Sequence, residues 1–162
     1  MRLIVFAVAA VLAIAAPALA DDMQDQILAV HNAERAAVGA PPLVWSDKLA
    51  ADAQVWADHL TTVGGLVHDP DNPNGENLWM GSQDSYGYTE MAQTWADEKA
   101  YFTYGTFPDV SSDGNWADVG HYTQMIWSGT TEIGCARTSD GTWDYLVCRY
   151  SPAGNVIDEK PY

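Results

Sequence analysis

The strongest constraint on this chain lies near its C-terminus, where its only two cysteines, Cys135 and Cys148, flank Asp140-Gly141. Asp-Gly is a strong hairpin dipeptide, because both residues tolerate the left-handed backbone that tight turns require. Strand-like stretches run on either side, Glu132 to Ala136 and Thr142 to Tyr150. In the second, Trp143, Tyr145 and Val147 alternate with Asp144, Leu146 and Cys148. The cysteines lie at nearly matching distances from the turn, so an intramolecular Cys135–Cys148 disulfide across the hairpin is geometrically reasonable. Such a bond needs an oxidising compartment, and the N-terminus provides the route to one. Arg2, the apolar run Leu3 to Ala16 and the small-x-small site Ala18-Leu19-Ala20 have the layout of a secretory signal peptide over residues 1–20. The apolar run is too short to span a bilayer comfortably, so a membrane-spanning protein is not expected. Removing those twenty of the 162 residues leaves 142, which suits a single domain over residues 21–162. The expected location is secreted and extracellular, or periplasmic in a bacterium.

Helices precede the hairpin. Asp22 to about Val38 has Ile27, Val30, His31, Glu34 and Val38 at helical spacing, with Asp21 or Asp22 as cap. Gly39 and Pro41-Pro42 end it. Ser46 can cap a second helix to about Leu60, whose stripe is Leu49, Ala53, Trp56 and Leu60. Thr61 to Tyr88 is rich in Gly, Pro, Asn and Asp and reads as loop. Thr89 to about Tyr101 returns to helix, and Gly120 to Trp127 fits a short one. Helices, loops and then a hairpin describe an α+β domain, with helices covering an antiparallel sheet.

Charge narrows the partners. Leaving out Arg2, the 22 acidic side chains face six basic ones, a formal charge of −16. Nucleic acid would be repelled by such a surface, so no nucleic-acid role is expected.

Four residues carry the candidate chemistry: His68, Glu76, Glu98 and His121. His121 follows a glycine inside an apolar segment, and a buried imidazole must find a partner. Glu98 falls on the inward stripe of the third helix after Met91, Ala92 and Trp95. It either reaches solvent beside Lys99 or faces a polar site inside the fold. Two imidazoles and two carboxylates can ligate zinc or another divalent cation. They can equally form a metal-free network in which each carboxylate orients an imidazole. His31 and His59 read as structural.

The segments Gly75-Glu76-Asn77-Leu78, Trp95-Ala96-Asp97-Glu98, Gly120 to Trp127, Gly134-Cys135-Ala136 and Val147 to Asn155 resemble signature segments of the CAP superfamily. Its members are cysteine-rich secretory proteins, antigen 5 and plant pathogenesis-related class 1 proteins. His31-Asn32, Arg35, Pro41 to Trp45 and the ending Lys160-Pro161-Tyr162 agree as well. The resemblance implies a three-layer α-β-α sandwich with a small antiparallel sheet. It also implies a cleft lined by His68, Glu76, Glu98 and His121, which holds a divalent cation in some members. The family usually has a shorter gap after the first of these histidines, so Asp69 to Asn74 looks like an insertion. Plant members usually have three disulfides where this chain has one cysteine pair, and His59 stands near a common cysteine position.

The function implied is a secreted protein that binds a lipid, sterol or other apolar ligand, with a His/Glu cleft able to hold a cation. Trp79, Met80 and the aromatic loop Tyr101 to Pro108 are the expected apolar surfaces beside that cleft. Two alternatives stand beside it. One is a metal-assisted hydrolase, a peptidase or esterase, with Glu76 or Glu98 as general base. The other is a secreted interaction protein of defence or virulence, acting through its acidic surface or C-terminal tail. An enzymatic role is the less expected of these.

Overall fold

The computed structural model describes residues 19–162, so the expected signal peptide lies outside the described residues apart from Leu19 and Ala20. In chain order the elements are α1 (Leu19–Val38), β1 (Val44–Trp45), α2 (Asp47–Val63), β2 (Gly75–Ser82), α3 (Tyr88–Asp97), α4 (Gly120–Ile126), β3 (Glu132–Ser139) and β4 (Trp143–Ser151). Short 3₁₀ turns cover Glu98–Ala100 and Trp116–Asp118. The strands form one sheet in the order β1-β3-β4-β2. β4 pairs antiparallel with both β2 and β3, whereas the two-residue β1 lies parallel to β3. A parallel pair needs a long crossover, and everything from α2 to α4 forms it.

Alternation along β4 builds the layers. Leu146, Cys148 and Tyr150 face a core completed by Ile27 of α1, Met91 and Trp95 of α3, and Met125 and Ile126 of α4. Tyr145 and Val147 face the other way, onto Ala53, Ala57 and Leu60 of α2. The result is the expected three-layer α-β-α arrangement. α2 sits unusually close to the sheet, because small residues meet there. A Cβ on Gly134 would lie 2.3 Å from the Ala50 nitrogen and 2.4 Å from the Ser46 carbonyl oxygen. Gly64, in the left-handed region at φ 74°, then stops the helix, as glycine does without steric cost.

The hairpin forms as its turn residues indicate. Cys135 and Cys148 are directly opposite in the register and joined by a disulfide, with Cα atoms 4.1 Å apart. A loop of this length contributes about 3 kcal/mol through chain entropy.

Several expectations are corrected. β2 lies inside the stretch Thr61 to Tyr88 expected as loop. Its turn-rich neighbours hide it, and eight consecutive pairings with β4 create it. α1 starts at Leu19, so Asp22 is helical and accepts from Gln26 rather than capping. Ser46 occupies the N-cap of α2 without a side-chain cap bond. α3 starts at Tyr88 after Gly87, whose N–H donates to Glu90 at 2.8 Å, one residue before the expected Thr89, and it ends at Asp97 rather than near Tyr101.

His31 and Arg35, one turn apart on α1, are fully buried. The Ile27 carbonyl can only accept, so His31 carries its proton on Nδ1 (2.8 Å) and accepts from the Tyr150 hydroxyl at Nε2 (2.8 Å). Burial pushes its pKa down to about 4, with the Arg35 charge adding to the effect. The native imidazole thus stays neutral where the unfolded one, with a pKa near 6.5, takes a proton. Stability should be full above that value and fall as pH drops from about 6.5 to about 4, by roughly 3 kcal/mol in all. Urea unfolding of wild type and His31→Gln across that window checks this: the variant should lose the corresponding slope. Parallel slopes would exclude His31 as the source.

Candidate functional site

A cleft of about 580 Å³ opens at the N-terminal end of β2. Glu76 and Asn77 come to it from β2, His68 and Asp69 from the α2–β2 loop, and Gly120 and His121 from the start of α4. Phe107, Trp116 and Ile157 form its apolar side. Phe107 is buried, while Trp116 is 47 % and Ile157 61 % exposed, so this side opens to solvent as an apolar lip.

Each imidazole is paired with one glutamate. His68 Nδ1 lies 2.5 Å from Glu76 Oε1, and His121 Nδ1 lies 2.6 Å from Glu98 Oε1. A carboxylate accepts, so Nδ1 carries the proton in both neutral rings and each Nε2 remains an acceptor. No hydrogen-bond partner of either Nε2 occurs among the described residues. The bond to Glu76 raises the His68 pKa above 6.5, against the opposing effect of desolvation. That contribution to stability is therefore complete below 6.5 and fades as pH rises through the higher native value.

The glutamates are anchored differently. Glu98 follows α3, where the helix tightens into its 3₁₀ turn, and its Oε2 accepts from the His121 and Tyr122 backbone N–H groups at 3.0 and 3.1 Å. A carboxylate over the first turn of α4 is favoured there by the helix dipole. Lys99 turns outward to Glu34, so Glu98 faces inward, the second of its two expected directions. It stands behind the His121 ring and does not itself line the cleft. The ring also stacks on Trp95, centroids 6.0 Å apart. The Glu76 side chain is only 5 % exposed, and its Oε2 is in ion-pair contact with Arg149 Nη1 without the alignment of a hydrogen bond.

The structure thus brings His68, Glu76 and His121 to one cleft, with Glu98 behind it. Among the described residues no group of three or more His, Cys, Asp or Glu side chains is gathered as a metal site. His59 is an exposed α2 residue whose ring lies tilted against Trp56, centroids 4.5 Å apart, and it is not among the residues lining the cleft. Trp79 and Met80, expected beside the cleft, are not: Trp79 packs into the core and Met80 beneath α2. Alternation along β2 turns each onto a covered face of the sheet. Of the aromatic loop, Phe107 alone reaches the cleft. Sequence reasoning missed Trp116 and Ile157, which lie in polar or tail segments. It also missed Asp69, whose signal was its place next to His68.

Comparison with known proteins agrees with this architecture. Residues 28–150 match the model of the CAP family, described as the cysteine-rich secretory protein family. Pathogenesis-related protein 1C of Nicotiana tabacum is 38% identical over 144 residues, covering 88% of this chain and 83% of that protein. Pathogenesis-related protein 1 of Arabidopsis thaliana is 36% identical over 162 residues, covering 99% and 96%. Among solved structures, NaASP2 with Zn²⁺ superposes with a TM-score of 0.75 at 22% identity, covering 91% of this chain and 90% of that one. At that identity the likeness bears on the fold alone.

Proposed function

The chain belongs to the CAP family, and from that membership we propose that it is a secreted binding protein. In this reading its cleft takes a divalent cation, zinc or a close relative, beside an apolar ligand of the sterol or fatty-acid kind. The carrying observation is the setting of the two imidazoles: each gives Nδ1 to a glutamate and leaves Nε2 as an acceptor, at one cleft. Neutral imidazole backed by a carboxylate is a favoured donor for such ions. His68 and His121 would hold the ion, with Glu76 and Glu98 fixing the rings. When bound, it would supply a localised positive charge able to orient a polar head group. The lip of Phe107, Trp116 and Ile157 would take the apolar body.

Secretion is supported by the signal-peptide layout of residues 1–20 and by the disulfide. No described helix is long and apolar enough to cross a membrane. The plant relatives' names suggest a defence setting for such binding. The hydrolase alternative draws less support from the site. It needs a carboxylate free to take a proton from water, and both glutamates are engaged by an imidazole and by further donors or a cation. No serine, threonine, cysteine or lysine is among the cleft-lining residues.

Calorimetry with Zn²⁺ on wild type and His121→Ala tests the cation. Binding should be measurable in wild type, at least about tenfold weaker in the variant, and weaker in mildly acidic solution, where histidines take up protons. Equal affinities would remove His121 as a ligand. Radiolabelled cholesterol and palmitate test the apolar ligand, and no saturable uptake with or without Zn²⁺ ends that part of the reading.

A further inference from the structure

The two imidazoles are held with unequal firmness. His121 belongs to α4, its backbone N–H and its ring are both bonded to Glu98, and its ring lies against Trp95. His68 has a side chain 67 % exposed, sits on the α2–β2 loop, and makes one side-chain hydrogen bond, to Glu76. Besides the Trp56 indole of α2, which donates to the Val67 carbonyl at 2.9 Å, this loop is held from β4. Arg149 is directly opposite Glu76 in the β2–β4 register and is 2 % exposed. Its Nη1 is in ion-pair contact with Glu76 Oε2, and its Nη2 donates to Asp69 Oδ2 at 2.9 Å. The Asp69 N–H in turn donates to Glu76 Oε1 at 3.2 Å, the same oxygen that His68 uses.

Asp69 is the residue after His68, so the loop is gripped at two points, through a peptide N–H and through a carboxylate. Both grips depend on one guanidinium. A carboxylate buried as deeply as Glu76 needs a compensating cation, and without Arg149 it would turn toward water and release His68 Nδ1. Without the Asp69 carboxylate, the backbone carrying His68 would keep one weak bond to the sheet.

We infer that Arg149 is a positioning residue of the cleft, which acts through Glu76 and Asp69 to fix the His68 ring without touching a ligand itself. The inference rests on the reading of the cleft as an imidazole-lined binding site. The clamp keeps the Nδ1–H of His68 on Glu76 and its Nε2 available at the cleft. Once it is released, the exposed ring is free to exchange rotamers and tautomers, and a bound ion loses a preorganised ligand. His121, fixed by its own helix, is unaffected.

Asp69→Ala carries the test, since the Asp69 side chain is partly exposed and its removal leaves the buried Glu76–Arg149 pair in place. Arg149→Met is the companion, and its uncompensated Glu76 can prevent folding. Two measurements are made on the full domain. One is the imidazole ¹H–¹⁵N correlation without metal, at a pH where both rings are neutral. The other is Zn²⁺ affinity by calorimetry. In Asp69→Ala, His68 should pass from a single Nδ1–H tautomer to a mixture while His121 keeps its wild-type signals, and Zn²⁺ should bind about tenfold more weakly. An unchanged His68 signal overturns the inference, as does equal disturbance of both histidines. If wild type takes up no Zn²⁺, the cation reading fails by itself, and the His68 tautomer still decides the role of the clamp.

Discussion

Arg35→Met is expected to cost about 5 kcal/mol of folding stability. Arg35 is fully buried on α1 and has no carboxylate partner among the described residues. Its guanidinium donates instead to four backbone carbonyls: Pro41 at 2.6 Å, Met125 at 2.9 Å, and Trp127 and Thr130 at 2.8 Å each. Met125 and Trp127 lie at the C-terminal end of α4, where the helix dipole is negative, which explains how the charge is tolerated. Burial lowers the Arg35 pKa only to about 10, so the side chain stays charged at neutral pH. Methionine fills similar volume but leaves the buried Met125 and Thr130 carbonyls without donors and removes the donor of the part-buried Pro41 carbonyl, while the Trp127 carbonyl keeps the Thr130 N–H at 3.0 Å. Each such orphan costs on the order of 1–3 kcal/mol, partly offset by the desolvation that the missing charge no longer requires. Arg35→Lys should recover little, because one ammonium cannot span the same fork. Urea unfolding followed by circular dichroism measures the change. A loss under about 1 kcal/mol would mean that the carbonyls find other donors and that the tether from α1 to α4 is dispensable.

Gly134→Ala should cost about 4 kcal/mol, beyond the usual 1–3 kcal/mol of an overfilled core. The new methyl would meet the Ala50 nitrogen at 2.3 Å, the Ser46 oxygen at 2.4 Å and the Leu49 carbonyl carbon at 2.7 Å. All three are backbone atoms of the α2 start, so no rotamer change relieves the contact and the helix itself must move. α2 also leads into the loop that carries His68, so its displacement should weaken any ligand that uses that ring. The denaturation midpoint is the measure. A midpoint like that of wild type would show that α2 slides along the sheet at little cost.

What the sequence made legible follows a physical divide. The hairpin, the disulfide and α4 were readable because turn chemistry and apolar density are local signals. Glu98 was readable as an anomaly, a carboxylate on an apolar stripe, and it does face inward to His121. β2 was not readable: its eight pairings are with β4, some seventy residues later, and its own neighbourhood is full of turn formers. Arg35 and Arg149 escaped for a different reason. Arginine is usually a surface residue, and its burial depends on carbonyls and carboxylates supplied by distant segments. The apolar lip was hidden because Phe107, Trp116 and Ile157 come from three separate segments.

The strand order has one more consequence. β2 lies at a margin of the sheet, with β4 as its one strand neighbour. An exposed margin of this kind offers its peptide groups to any extended segment of another molecule, which is how native chains begin to associate edge to edge. Here the Trp95 indole of α3 donates to the Leu78 carbonyl of β2 at 3.1 Å, and the same ring lies under His121. An incoming strand would have to displace this indole and, with it, the wall behind the cleft. One tryptophan therefore satisfies an edge carbonyl of β2 while it supports the His121 ring.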